Sequence, residues 1–294
     1  MRDERAFDRM PPPGDMPDPN EGLSTPDDIE RFDDLAYGPD PVWQILDVYR
    51  PKEAAGEVLP VIINIHGGGW TSGDKEMCQF YCMSLAQRGF AVVNFTYRLA
   101  PAYKFPAGIE DTNLVAAWVL AHADAYGFDT DHIFAVGDSA GGQMLGVYAA
   151  ICTNPSYAAS FDFTVPDGFR LTAIALNCSI YSWPPLAELD PRTAQTMQAL
   201  LPAPVTDDSL ARISVVNHIT EDFPPTLYMT CTRDFEKEQA PLLGAKLLEK
   251  DVPHTFLYYG DSRTDLGHVF HLNIKSDIAN RCNEAECSYF KEFL

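Results

Sequence analysis

Ser139, in Gly137-Asp138-Ser139-Ala140-Gly141, has the spacing of a nucleophile elbow, which carries a serine hydroxyl on a sharp strand-to-helix turn. Upstream, His66-Gly67-Gly68-Gly69-Trp70 has the pattern of a loop that presents backbone N–H groups to a developing oxyanion. The first pattern arises by chance in about one such chain in twenty and the second in about one in several hundred, so both in this order point to acyl transfer. A tetrahedral acyl intermediate carries localised charge on oxygen, which fixed N–H donors stabilise. Gly68, Gly69 and Ala140 are the expected oxyanion-hole donors, the glycines letting the main chain approach where a Cβ would collide. Gly141 and Gly142 are read as serving close strand–helix packing.

A free hydroxyl is a weak nucleophile near neutral pH, so Ser139 needs a base, and the base needs an acid to fix its tautomer. On a strand-borne elbow the chain order is serine, acid, histidine. Seven histidines are available. His66 belongs to the glycine loop, His122 and His132 precede the serine, His218 falls in a proline-rich segment and His254 stands before a strand. His268 and His271 remain. For the acid, Asp234, Glu236 and Asp265 compete. Asp138 is read as structural, because an elbow points adjacent side chains apart.

These groups must be held by a scaffold, and the apolar segments alternate in type along the chain. Residues 42–49, 58–65, 90–97, 132–136, 171–177, 226–231 and 255–259 read as strands; 58–65 is a continuous Val/Ile run suited to a sheet covered on both faces. Helices are expected at 75–88, 107–126, 140–152, 240–250 and from about 269 to the C-terminus, and a short one at 27–37. Alternating strands and helices imply parallel βαβ units, hence an α/β fold with helices on both faces of a mostly parallel sheet. Residues 1–25 are proline-rich and acidic, and residues 1–40 read as a lead-in that joins an insertion at about 180–223 to form a small helical cap on a 41–294 domain.

Composition narrows the rest. The 294 residues are 46% hydrophobic and 21% charged, ordinary for a globular chain. A net charge of −21 argues against nucleic acid and anionic membrane surfaces, which are bound through clustered Lys and Arg. No apolar run approaches the ~20 residues of a membrane span. Met1-Arg2-Asp3-Glu4-Arg5 opens no apolar signal core, so a cytoplasmic location is expected. The seven cysteines lack a double CxxC pattern; Cys152, Cys178 and Cys231 read as buried thiols, and the pairs Cys78/Cys82 and Cys282/Cys287 carry no assignment.

Tyr97-Arg98-Leu99-Ala100-Pro101, Phe105-Pro106-Ala107 and Glu110-Asp111 resemble the segment between oxyanion loop and nucleophile in hormone-sensitive-lipase-like esterases. The glycine loop, the elbow through Gly142, and Pro224-Pro225-Thr226 followed by Asp234-Phe235 are similar to that family's signatures. The resemblance runs from about Val42 to Phe270. It implies the α/β-hydrolase fold with a helical cap, hydrolysis of short-chain carboxylic esters on a small-molecule substrate, and no cofactor or metal. It assigns Asp234 as the acid and His268 as the base, with His271 on a helix face. The loop 261–268 is longer and more polar than the family's usual form.

Trp70, Tyr181 and Trp183 are candidate substrate contacts, although aromatics at strand ends are more often core. Arg98, Glu110 and Asp111 read as a structural ion-pair network. The expected activity is acetyl-ester hydrolysis, with carbohydrate deacetylation one form of it. Two alternatives are an aryl-formamide amidase and a non-catalytic small-molecule receptor; whether the chain forms a homo-oligomer is left open.

Overall fold

Leu59–Ile65 (β3) is one of the two central strands of the sheet, and its side chains alternate between two cores. Val61, Ile63 and Ile65 enter one hydrophobic layer, and Ile62 enters the other with Phe134 and Val136. A strand apolar on both faces demands cover on both. The computed structural model describes residues 20–294. The remaining strands are β1 (Ile29–Ala36), β2 (Ile45–Pro51), β4 (Ala91–Phe95), β5 (Phe128–Asp138), β6 (Leu171–Asn177), β7 (Thr226–Cys231) and β8 (His254–Tyr259). They form one sheet in the order β1-β2-β4-β3-β5-β6-β7-β8. β3 to β8 run parallel, while β2 is antiparallel to both β1 and β4.

Helices α1 (Lys75–Ala86), α2 (Ala107–Ala121), α3 (Ala123–Tyr126), α4 (Ala140–Thr153), α5 (Pro155–Ala158), α6 (Pro191–Leu200), α7 (Asp207–Ile213), α8 (Gln239–Glu249) and α9 (Asp277–Lys291) connect or follow the strands. α2, α4 and α8 contribute to the layer shared with Val61, while α1 and α9 pack on the face of Ile62. This is the expected α/β-hydrolase architecture.

Three expectations need correction. Residues 27–37 are not a helix: Ile29–Ala36 is the edge strand β1. Ile29, Phe32 and Leu35 recur three residues apart, a spacing that also suits one face of a helix. A β-bulge between Phe32 and Leu35 produces that spacing, because Phe32 opposes Val48 while Leu35 opposes Leu46. The extra residue lets both point to one core, and Asp34 takes a left-handed φ of 54° within the bulge. The 29–36 portion of the expected lead-in is therefore sheet; residues 1–19 of that lead-in lie outside the described residues.

The expected helix 107–126 breaks at His122 into α2 and α3, with Gly127 in the left-handed conformation closing the second. The helix expected from about 269 is interrupted: a single 3-10 turn, Phe270–Leu272, is followed by a link to α9. Val269 there has a positive φ of 53°, which a continuous right-handed helix excludes. All seven cysteines are free; six are buried, and Cys152 is half-buried, not fully buried as expected.

Between β6 and β7 the chain leaves the sheet for α6, α7 and two 3-10 turns. Asp190 accepts from the N–H groups of Arg192 and Thr193 ahead of Pro191, so α6 begins with a side-chain cap and a proline at its first position. Thr206 and Ser209 form a capping box on α7. The insertion is pinned to the body where Lys104 Nζ donates to the carbonyls of Gln198, Ala199 and Leu201. Among the described residues, no helix is long and apolar enough to cross a membrane.

Candidate active site

The sheet order reverses direction around β3 and β5, and a crevice opens at the carboxyl ends of strands at such a point. Both sequence motifs sit there. β3 delivers His66 and the three glycines, and β5 delivers Ser139. Ser139 has φ 51° and ψ −120°, a sparsely populated conformation for a residue with a Cβ. The turn tolerates it because its neighbours are glycines. A Cβ on Gly137 would meet the Gly141 carbonyl, and one on Gly141 would run into the carbonyls of Ile65 and His66. The Ser139 N–H donates to the Asn177 carbonyl at 2.9 Å and the Ser179 hydroxyl donates to the Ser139 carbonyl at 2.7 Å, tying the elbow to the end of β6.

The serine hydroxyl lies 2.9 Å from His268 Nε2. On the other side of the ring, His268 Nδ1 lies 2.6 Å from Asp234 Oδ1. Asp234 is fully buried; its Oδ1 also accepts the Glu236 N–H at 3.0 Å and its Oδ2 accepts the Thr230 hydroxyl at 2.6 Å. Burial works to raise this carboxyl, but the bond and charge of His268, then Thr230 and the Glu236 N–H, outweigh it and hold the group below the ordinary carboxylate range. Ser139, Asp234 and His268 arrive from the ends of β5, β7 and β8 and meet in one hydrogen-bonded line.

None of the rivals joins this line. Asp265 pairs with Arg233 on the surface. Glu236 is half-buried beside the pair, with burial pushing its carboxyl up to about 7. His271 is buried in the 3-10 turn with neither ring nitrogen partnered, and burial takes it down to about 3. His66 stacks on Tyr97 and is lowered by burial to about 4. Neither hydrogen-bonds Ser139, and burial disfavours the imidazolium form of both.

Asp138 is buried, and its Oδ1 accepts the Gly67 N–H at 3.0 Å, so it braces the glycine loop against the elbow. Burial pushes it up to about 6. A Cβ on Gly67 would touch Ser139 Cβ at 3.1 Å, which places this loop directly against Ser139. Gly68 and Gly69 have φ values of 122° and 59°. Among the described residues, the N–H groups of Gly68, Gly69 and Ala140 donate to nothing.

Trp70 is buried with a φ of 62°; its Nε1–H donates to Gln143 Oε1 at 3.0 Å, and its ring lies 5.9 Å from that of Trp183. Gln143 in turn donates to the Ile213 carbonyl at 2.7 Å, joining the glycine loop to the β6–β7 insertion. Beside Trp70 is an apolar cavity of about 20 Å³, bordered by Tyr97, Phe105, Met144 and Leu200 among others. Tyr181 is core, with its hydroxyl on the Leu176 carbonyl at 3.3 Å. Arg98 pairs with Glu110 and Asp111, the structural network expected.

Residues 46–247, more than half of the chain, match the BD-FAE family. The chain belongs to that family. Its kinship with hormone-sensitive-lipase-like esterases of the α/β-hydrolase superfamily is borne out by relatives of the same kind. Esterase LipC of Mycobacterium tuberculosis is 33% identical over 135 residues, covering 46% of this chain and 32% of LipC. Versiconal hemiacetal acetate esterase of Dothistroma septosporum is 28% identical over 233 residues, covering 72% of this chain and 67% of that protein. The chain thus spans about a third to two thirds of the length of these curated relatives. Esterase B of Lactobacillus rhamnosis has the same fold, with a TM-score of 0.84 at 24% identity over 94% of this chain and 90% of its own.

Three supporting residues escaped the sequence reading: Thr230, Gln143 and Asn177. Each is a buried polar side chain within an apolar run. That is the one signal that could have marked them, because a buried polar group must find a partner.

Proposed function

We propose that this member of the BD-FAE family is a serine hydrolase of short-chain carboxylic esters, acting through Ser139, His268 and Asp234. The observation that carries the reading is the unbroken line from Ser139 Oγ to His268 Nε2 at 2.9 Å and from His268 Nδ1 to Asp234 Oδ1 at 2.6 Å. His268 takes the proton of Ser139 as its oxygen attacks the ester carbonyl. The free N–H groups of Gly68, Gly69 and Ala140 supply the oxyanion hole, each worth about 3–4 kcal/mol of transition-state stabilisation. The buried Asp234 carboxylate stabilises the imidazolium that forms. His268 then returns the proton to the leaving alcohol, and water activated by the same imidazole releases the acid from Ser139. Nothing in these steps calls for a cofactor.

The β6–β7 insertion, built of short and proline-interrupted pieces, supports a modest pocket and a short acyl group. One relative carries an acetate ester in its name, which supports acetyl as that group. The β6–β7 insertion acts as a cap in this reading, and carbohydrate deacetylation and hydrolysis of drug-like or aryl esters suit it equally. The test is hydrolysis of p-nitrophenyl acetate, butyrate and octanoate, an aryl formamide and acetylated oligosaccharides by the protein and by Ser139→Ala. We expect the acetyl or butyryl ester to lead and Ser139→Ala to abolish turnover. An optimum at eight carbons refutes the small pocket, and preference for the formamide refutes the esterase assignment.

A further inference from the structure

Cys178 has no part in the proposed chemistry, yet it lies against the Asp234–His268 pair. Its thiol, a carboxylate oxygen of Asp234 and a ring nitrogen of His268 all lie within 4.8 Å of one another. Cys178 is fully buried and takes a left-handed φ of 49°, anchored by its N–H on the Met229 carbonyl at 2.9 Å. Its sulfur is 3.8 Å from Met229 Sδ, within a small cluster shared with Cys231 and Cys282.

Resting on the esterase reading, we propose that Cys178, Asp234 and His268 form a latent inhibitory site for a soft divalent cation such as Zn²⁺. The donor set of one sulfur, one nitrogen and one carboxylate oxygen suits Zn²⁺ or Cd²⁺ and not Mg²⁺ or Ca²⁺, which require oxygen ligands. Tetrahedral zinc bonds put their ligand atoms about 3.3–3.6 Å apart. The Nδ1–Oδ1 pair at 2.6 Å therefore opens by about 1 Å or less, and the sulfur, within 4.8 Å of both atoms, closes by at most about 1.5 Å. A neighbouring carboxylate disfavours a bare Cys178 thiolate, and the cation removes that penalty by binding both groups.

Binding expels the thiol proton to solvent. Metallation at Nδ1 moves the imidazole proton from Nδ1 to Nε2, and no electrons are transferred. Nε2 then faces Ser139 Oγ as a donor and cannot accept its proton, so the nucleophile is not activated. With Cys178 and Asp234 closed to solvent and the His268 side chain 14% exposed, the ion enters past His268 and inhibition should develop over time.

The experiment preincubates the full chain with Zn²⁺, Cd²⁺ or Mg²⁺ and follows ester hydrolysis. In parallel, the ultraviolet cadmium–thiolate absorbance is recorded as a difference between the native protein and Cys178→Ala. We expect Zn²⁺ and Cd²⁺ to inhibit, Mg²⁺ to have no effect, and a chelator to restore activity. Cys178→Ala should keep its basal activity and need about a hundredfold more ion for half-inhibition. Equal inhibition of the two proteins, or no difference absorbance, overturns the proposal. Cys178→Ser keeps the side-chain size should the alanine protein fail to fold, and it too must lose the absorbance. That absorbance reads the site in Ser139→Ala as well, so it stands or falls separately from the esterase reading.

Discussion

Replacing Asp234 by Asn removes one charge and little volume, and the surrounding hydrogen bonds decide how the new amide sits. Oδ1 accepts two donors, His268 Nδ1–H and the Glu236 N–H, whereas Oδ2 accepts only the Thr230 hydroxyl. An Asn with its amide nitrogen at the Oδ1 position faces two donors with a third. With that nitrogen at the Oδ2 position, the Thr230 hydroxyl needs only to rotate and accept. The second orientation wins, and His268 keeps its tautomer. The loss is the attraction between carboxylate and imidazolium in the transition state. Unit charges about 4 Å apart at an effective dielectric constant of 20 attract by about 4 kcal/mol. That corresponds to about a thousandfold in kcat, short of the roughly 10⁴-fold that accompanies a wrong tautomer in serine-protease triads. Adding Thr230→Val removes the acceptor for the amide and should push the loss toward that larger figure. The assay is steady-state hydrolysis of p-nitrophenyl acetate, with Glu236→Gln and Asp265→Asn as controls expected within about tenfold of the native rate. If Asp234→Asn stays within tenfold while either control falls a hundredfold, the acid is misassigned.

Gly68→Ala should lower kcat about 10²- to 10³-fold with little change in KM: φ is 122° there, and the new Cβ would collide with the Ser72 carbonyl and displace a proposed oxyanion donor. Steady-state constants for that variant check it. Glu286 is buried between the Tyr81 hydroxyl and the Asn177 amide, and burial pushes its carboxyl from about 4.5 up to about 7. The folded state therefore holds a proton that the unfolded chain releases between those values, so stability should fall as pH rises from 4.5 to 7 and level off above. Glu286→Gln should remove about 3 kcal/mol of that fall, read as the difference between two urea-unfolding series across pH. An unchanged slope refutes it. Glu236, also raised, acts in the same direction in both proteins and cancels in the comparison.

Much of this was legible because continuous Val/Ile runs and glycine-bounded turns report directly on buried strands and sharp elbows. β3, β6 and β7 fall within a residue of their expected limits, and the serine elbow lies where the motif puts it. The misreadings have local causes. A bulge in β1 mimics helical spacing, and a single left-handed Val269 stops a helix whose apolar pattern continues past it. Choosing Asp234 over Glu236 and Asp265 turned on which carboxylate the fold buries against one imidazole. That is a long-range property: Asp234 and His268 are brought together by adjacent strands β7 and β8, not by local spacing. Gln143, which joins Trp70 to Ile213, was hidden for the same reason; Thr230 lies only four residues from Asp234, and its polarity within an apolar strand was the one mark it carried.

The hydroxyl at 139 and the ring at 268 can be examined chemically without knowing the natural ester. A fluorophosphonate probe reacts with a serine only when a neighbouring base activates it and an oxyanion site accepts the phosphoryl oxygen. Mass spectrometry of the labelled, digested protein should find one adduct, on Ser139, absent from Ser139→Ala and formed at least about a hundredfold more slowly in His268→Ala. An adduct on another residue, or labelling of Ser139 at an unchanged rate without His268, would contradict the account.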